Sequence, residues 1–539
     1  MTHEIKDKEL MEAGALTSVT LLAFVVLVVS IEGARSQCQP RDYGKGSVVC
    51  VCNTTYCDYL GKVSPAPQRQ ILVYESNKAG LRFAKTTGYF DVPSGISHSR
   101  DDAVTIAVDT SKTYQRIYGF GGAFTDAAGI NIKSLPKNMQ EDIIQSYYTD
   151  KGLSYNIGRV PMASCDFSVR QYTYADTPGD FALANFSLAT EDYELKIPLI
   201  KRALNVSKNA VWMFASPWSA PAWMKTNGKL YHGGFLIGHP GGQYYKTWAN
   251  YFVRFLKEYE RNGIQFWGLT AENEPTAGFD PTYPFQSLGF TPALQRDFIK
   301  FDLGPALEKA GYGPDKVALM ILDDMRTFLP LWAKMVLRDK DAAKYIAGVA
   351  VHWYMDSVTD PGRLDETHDA FPDTFILATE ACMGDKPWIK EKVQLGSWDR
   401  AENYSHDVLE DLQHWVTGWV DWNLALDKQG GPNWVQNFVD SPIIVDAEAR
   451  EFYKQPMYYA LAHFTKFLPR GSMRVASSQD SGDGSGLEFG AFKTPDGATV
   501  AVVLNPTSSE HSVQLKDVSK GSTYNKTITP RSINTFAWW

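Results

Sequence analysis

Histidine and cysteine are scarce in this chain, ten and six among 539 residues. Outside one N-terminal cysteine group they fall into no metal-ligand spacing, so no metal is expected; no other cofactor is expected either. Basic runs are also lacking and the formal net charge is −8, which makes nucleic acid a poor partner. No period of 20 to 50 residues repeats, which excludes a solenoid, and there is no long low-complexity tract. Charged residues reach only 21% against 44% apolar, the balance of a folded chain and not a disordered one.

What is present begins with "AGALTSVTLLAFVVLVVSI", residues 13 to 31, an uncharged run near the N-terminus. It reads as the core of a secretory leader over 1–36, cleaved near Gly33 to Ser36. The preceding "MTHEIKDKELME" is not the basic segment such leaders carry, and a membrane anchor is the alternative. Cys38, Cys50, Cys52 and Cys57 follow within twenty residues. Local bridges Cys38–Cys50 and Cys52–Cys57 are the simplest of three pairings. A zinc site is the rival, and an oxidising lumen favours disulfides. Cys165 and Cys382 read as free thiols. Sequons at Asn53, Asn185, Asn205, Asn403 and Asn525 agree with synthesis in the secretory pathway. Loss of residues 1–33 removes two lysines and five acids, leaving about −5. The nine remaining histidines would charge in an acidic compartment and ease approach to an anionic membrane.

At 539 residues the chain suits a large barrel with a smaller domain. From about residue 115, short apolar runs alternate with helical patterns. The runs are "RIYGFGG", "SYNIGRVPM", "AVWMFASPW", "IQFWGLTAENEP", "VALMILDD", "AGVAVHWY", "TFILATEA" and "GWVDWNLAL". Eight such strands, with aromatics at helical spacing between them over 241–263, give the count of a (β/α)8 TIM barrel over 115–471. The flanks, 64–114 and 472–539, alternate as strands broken by turn residues, and are expected to form one attached β-sandwich built from both termini. Residues 37–63 form a small disulfide-stapled module, with 423–455.

The barrel runs end in polar and aromatic residues: Asp126, Arg159, Asp166, Trp218, Asn273, Glu274, His352, Tyr354, Glu380 and Trp422. Barrels of this kind carry their chemistry at those strand ends. Aromatic faces beside carboxylates and amides suit a sugar. Cleaving a glycosidic bond needs one acid for the leaving oxygen and a second carboxylate as nucleophile or base. Glu274 and Glu380, on opposite sides of the rim, are the candidates.

"TAENEP", "YPFQSLGFTP", "RVPMASCDF", "SPWSAPAWMKTNG", "AVHWY", "TEAC" and "GGPNWVQNFVDSPIIVD" resemble glycoside hydrolase family 30, on its lysosomal acid β-glucosidase branch. The likeness runs over nearly the whole chain after the leader. It implies Glu274 as general acid/base and Glu380 as nucleophile of a retaining double displacement, with carboxyl groups about 5–5.5 Å apart. It also implies Asn273 on the sugar 2-hydroxyl and Asp166, Trp218, Trp422 and Asn437 on the other hydroxyls. Phe167, Phe285 and Trp353 would line the pocket, with His352, Tyr354 and Arg159 behind the carboxylates. Glu272 is read as a structural partner, and Ser287 stands where the family has a cysteine. The implied substrate is glucosylceramide at an anionic membrane surface in the lysosome lumen, with a saposin-type activator and a sorting receptor as partners. A β-xylosidase or β-galactosidase would share both glutamates. A non-catalytic carbohydrate-binding or carrier protein on the same scaffold is the reading from a different class.

Overall fold

The structure is a computed structural model that describes residues 37–91, 103–482 and 486–539. The expected leader lies outside them, and among the described residues no helix is long and apolar enough to cross a membrane.

The eight apolar runs form one closed barrel of parallel strands. In chain order these are β1 (Gly119–Ala123), β2 (Ile157–Met162), β3 (Trp212–Pro217), β4 (Gly268–Thr270), β5 (Ala318–Met325), β6 (Ile346–His352), β7 (Phe375–Glu380) and β8 (Val416–Asn423). β8 closes on β1, pairing Gly418 with Gly119 and Trp419 with Phe120. The glycines of this seam are steric necessities. A Cβ on Gly418 would stand 2.2 Å from Gly119 O, and one on Gly121 would stand 2.2 Å from Ile157 O. The helix Gln243–Arg261 buries Tyr245, Trp248, Tyr251, Phe252, Phe255 and Tyr259, because aromatics three and four apart share one face.

The flanking strands form a single nine-stranded sheet. It takes Gln70–Asn77, Ala84–Tyr89 and Val104–Arg116 from before the barrel and six strands between Met473 and Trp538 from after it. The ladder is continuous and curls over, so the β-sandwich is one sheet packed against itself. Ile71, Val104, Val503, Leu515 and Phe536 meet in one core, and Asp91 N donates to Thr523 O across the approaching edges at 2.9 Å. The helix Pro456–Thr465 is buried along its whole length between barrel and sheet. Its His463 bonds Thr535 and Ser76, each at 2.9 Å.

The N-terminal strand Val48–Asn53 pairs with Glu451–Lys454 in a five-stranded sheet. Disulfides join Cys38 to Cys50 and Cys52 to Cys57. Cys165 and Cys382 are buried free thiols, pushed well above the usual range by burial. Asn185, Asn205, Asn403 and Asn525 are exposed, while Asn53 is half-buried.

Candidate active site

β5 is irregular where the site begins. Its pairing with β6 shifts register between Leu322 and Asp324, and Leu322 and Asp323 adopt φ of 69° and 56°. Two successive non-glycine residues in the left-handed region mark a strained bulge, of the kind that re-aims a side chain. It turns Asp323 into the barrel. Oδ2 accepts from Arg159 Nη2 (3.1 Å), Ser216 Oγ (3.0 Å) and Thr270 Oγ1 (2.6 Å). Oδ1 accepts from His352 Nε2 (3.0 Å) and Thr379 Oγ1 (2.7 Å). With its own strand, this one carboxylate ties β2 through β7 together.

Charge follows from those contacts. Burial alone would raise Asp323, but Arg159, His352 and the donated hydrogen bonds hold it well below the ordinary carboxylate range. Burial would lower His352, yet Glu380 and Asp323 push it up to about 10. Its ring therefore carries both protons, one for Asp323 and the other for Glu274 Oε1, 3.1 Å from Nδ1.

Glu380 ends β7. It is gripped by Arg159 Nη1, and Tyr354 OH donates to its Oε1 at 2.6 Å. Glu274 follows β4 with φ of 43°, at the start of the turn Pro275–Phe279. Its backbone N donates to Asp323 O at 2.9 Å, and Tyr283 OH donates to its Oε2 at 3.0 Å. One oxygen of Glu274, one of Glu380 and a ring nitrogen of His352 lie within 4.8 Å of one another. Such spacing is compatible with a retaining pair, whose carboxyl groups stand about 5–5.5 Å apart.

Two groups among the described residues place ligand atoms close enough for a metal ion. Cys52 and Cys57, beside Asp58, are joined in a disulfide. The other group is the Glu274–His352–Glu380 trio, where carboxylates engage both ring nitrogens.

Above the pair lies a cavity of about 230 Å³, lined among others by Asp166, Phe167, Trp218, Asn273, Phe285, Tyr354, Trp422 and Asn437. Trp218 and Trp422 stack at 5.2 Å, with the Arg159 guanidinium 5.0 and 5.3 Å from their rings. Phe167 meets Trp422 edge-on at 6.0 Å. Asn273, which lines the cavity, accepts from Arg159 Nη2 through Oδ1 at 2.7 Å, so its amide nitrogen is not the atom engaged by Arg159. Asn437 and Asn433 donate to Asp166 Oδ2 at 3.0 and 3.3 Å. Burial pushes Asp166 up to about 7 despite those bonds, with Glu380 adding to the rise.

Most residues singled out from the sequence meet here, but three stand apart. Trp353 does not line this cavity: its indole donates to Cys382 O at 3.1 Å and its ring packs on Tyr404 and Trp419. Asp126 bonds Ser168 and Tyr172 below the rim. Glu272 is fully buried and neither of its oxygens meets a donor; burial raises it well above the usual range. Sequence reasoning missed Asp323, Tyr283, Asp385 and Asn433. Only Asp323 carried a signal, as one of two adjacent acids ending an apolar strand.

A glycosyl hydrolase family 30 TIM-barrel domain matches residues 117–468, and the family 30 beta sandwich domain matches 471–536. The chain belongs to glycosyl hydrolase family 30. Lysosomal acid glucosylceramidase of Mus musculus is 49% identical over 96% of this chain and 98% of its own length. Putative glucosylceramidase 4 of Caenorhabditis elegans is 44% identical over 97% and 99%. Among solved structures, SrfJ from Salmonella typhimurium covers 87% of the chain and 99% of its own, with a TM-score of 0.78 at 27% identity. In this family 30 chain, the barrel carries the paired carboxylates and the sandwich lies outside the site.

Proposed function

We propose that this family 30 hydrolase cleaves the β-glucosidic bond of glucosylceramide, releasing glucose and ceramide with retention at the anomeric carbon. The observation that carries the chemistry is the Glu274–Glu380 pair, with oxygens within 4.8 Å, beneath a sugar-sized cavity. The lipid aglycone rests on the likeness to glucosylceramidases over nearly full length.

Glu274 gives its proton to the leaving oxygen while Glu380 attacks C1 and forms a glycosyl ester. Glu274, now ionised, takes a proton from water, which displaces Glu380. Arg159 and Tyr354 fix the nucleophile's lone pairs, and His352 and Tyr283 orient the acid. The Asn273 amide nitrogen donates to the 2-hydroxyl, and Asp166 and Asn437 hold hydroxyls at the far side.

The setting is the lysosome lumen, at an anionic membrane surface, with a saposin-type activator and a sorting receptor as partners. The test is an assay at pH 5 on glucosylceramide and on matched aryl glucoside, xyloside and galactoside. The first-formed sugar is observed by proton NMR. Cleavage of both glucosides with β-glucose appearing first is expected. α-Glucose first would overturn the double displacement, and faster cleavage of xyloside or galactoside would overturn the glucoside assignment.

A further inference from the structure

Asn403 is exposed in the helix Trp398–Gln413 and begins the sequon Asn403-Tyr404-Ser405. Asn403, His406, Asp407 and Glu410 recur at helical spacing and form one wall of a cavity of about 310 Å³. Met383 and Ile389, from the loop after Glu380, line the opposite side. Tyr354 and Asp385 line both this cavity and the candidate active site. Asn403 Nδ2, the atom a glycan would be joined to, lies 4.0 Å from Met383 Sδ. It is turned into the cavity, and not away along the helix.

The lining suits an amphipathic ring. Met383, Ile389 and Trp353 offer apolar surface to a sugar's C–H face, while Asp385, Lys386 and Glu410 can meet hydroxyl and acetamido groups. Two of the other sequon side chains are engaged locally. The Asn53 side-chain oxygen is taken by Thr55 and Tyr56, and Asn525 accepts from Gln514 on its own sheet.

We propose that this cavity is the berth of the first N-acetylglucosamine of a glycan on Asn403, which braces the loop 383–389 behind the nucleophile. In the modification, Nδ2 displaces a diphosphate-linked carrier lipid from sugar C1. A C–N bond forms, the C–O bond breaks with its electrons on the diphosphate, and one amide proton is lost. The inference rests on the secretory reading alone, independent of which glycoside is cleaved.

The test uses the full secreted protein from cells that make only high-mannose glycans. Glycopeptide mass spectrometry reads occupancy of Asn403. Amide hydrogen exchange then follows residues 383–389 and 403–410 in four forms: intact, trimmed by endoglycosidase to a single N-acetylglucosamine, Asn403→Gln, and Ser405→Thr, which keeps the sequon. Intact, trimmed and Ser405→Thr proteins are expected to exchange alike, and Asn403→Gln at least about threefold faster in 383–389. An unoccupied Asn403 overturns the proposal. So does a trimmed protein that exchanges like Asn403→Gln, or equal exchange in all four forms. Because exchange is the readout, failure here is separate from failure of the glucosylceramide reading.

Discussion

Replacing Asp323 by Asn keeps the volume of the barrel's central side chain and removes its charge. The amide oxygen can still face Arg159, Ser216 and Thr270, the three donors now on Oδ2. Its NH2 group then meets His352 Nε2 and Thr379 Oγ1, both of which now donate. Breaking a buried ion pair by removing one partner costs about 3–5 kcal/mol. Thr379 can rotate to accept, and His352 can lose a proton and accept at Nε2. The lower end, about 3 kcal/mol, is therefore expected, within the ~5–15 kcal/mol that holds a domain folded. A neutral His352 no longer balances the carboxylates around Glu274, and Arg159 loses one of its two anchoring charges. A fall in kcat of about a hundredfold, near 2.7 kcal/mol, is expected from that disturbance. Calorimetric unfolding and steady-state kinetics on an aryl β-glucoside read the two effects separately. A variant that unfolds at the wild-type temperature with kcat within about twofold would refute the role given to Asp323.

Tyr354→Phe deletes the 2.6 Å hydrogen bond to Glu380, together with the weaker 3.4 Å contact of the hydroxyl with Cys382 Sγ. A bond to a charged group is worth about 1.5–3 kcal/mol, so kcat/KM should fall roughly tenfold or more, and an unchanged value would place Tyr354 outside the chemistry. Stability should be higher at pH 5 than at pH 8. Burial raises Asp407 to about 6, Asp166 to about 7 and Asp356 and Asp421 to about 8. Each raised group contributes stability that is complete below the unfolded value and is lost as pH rises through the folded one. His352, raised to about 10, and His406, raised to about 9, add to the loss above pH 6.5. His463, held near 3 by burial, and His368, also lowered by burial, act in the opposite sense below pH 6.5. Lys225, lowered to about 7 by burial, does so above that pH, and the raised groups outnumber these three. Unfolding temperatures that rise between pH 5 and pH 8 would contradict this balance.

The barrel was legible because each strand is a short apolar run that stops at a polar residue, and the paired glutamates stand at two of those stops. Trp353 shows the limit of reading residue type alone. It lies just past the end of β6, in a bend between His352 and Tyr354. Those two meet the carboxylates, while the Trp353 ring packs on Tyr404 and Trp419. Asp323 was harder, because its inward turn depends on a bulge at two non-glycine residues that nothing in "LDD" announces. Tyr283 reaches Glu274 from a loop nine residues further on. The single curled sheet was equally hidden, since alternating strands reveal faces and leave pairing partners open.

The central claim is that Glu380 forms a covalent glycosyl ester which Glu274 then helps hydrolyse. It is tested most directly by incubating the protein with an activated 2-deoxy-2-fluoroglucoside, which slows breakdown of the ester, and sequencing the labelled peptide by mass spectrometry. One fluoroglucosyl group on Glu380, with activity lost in step, is the expected result. A label on any other residue, or turnover of the probe without a covalent adduct, would contradict the account.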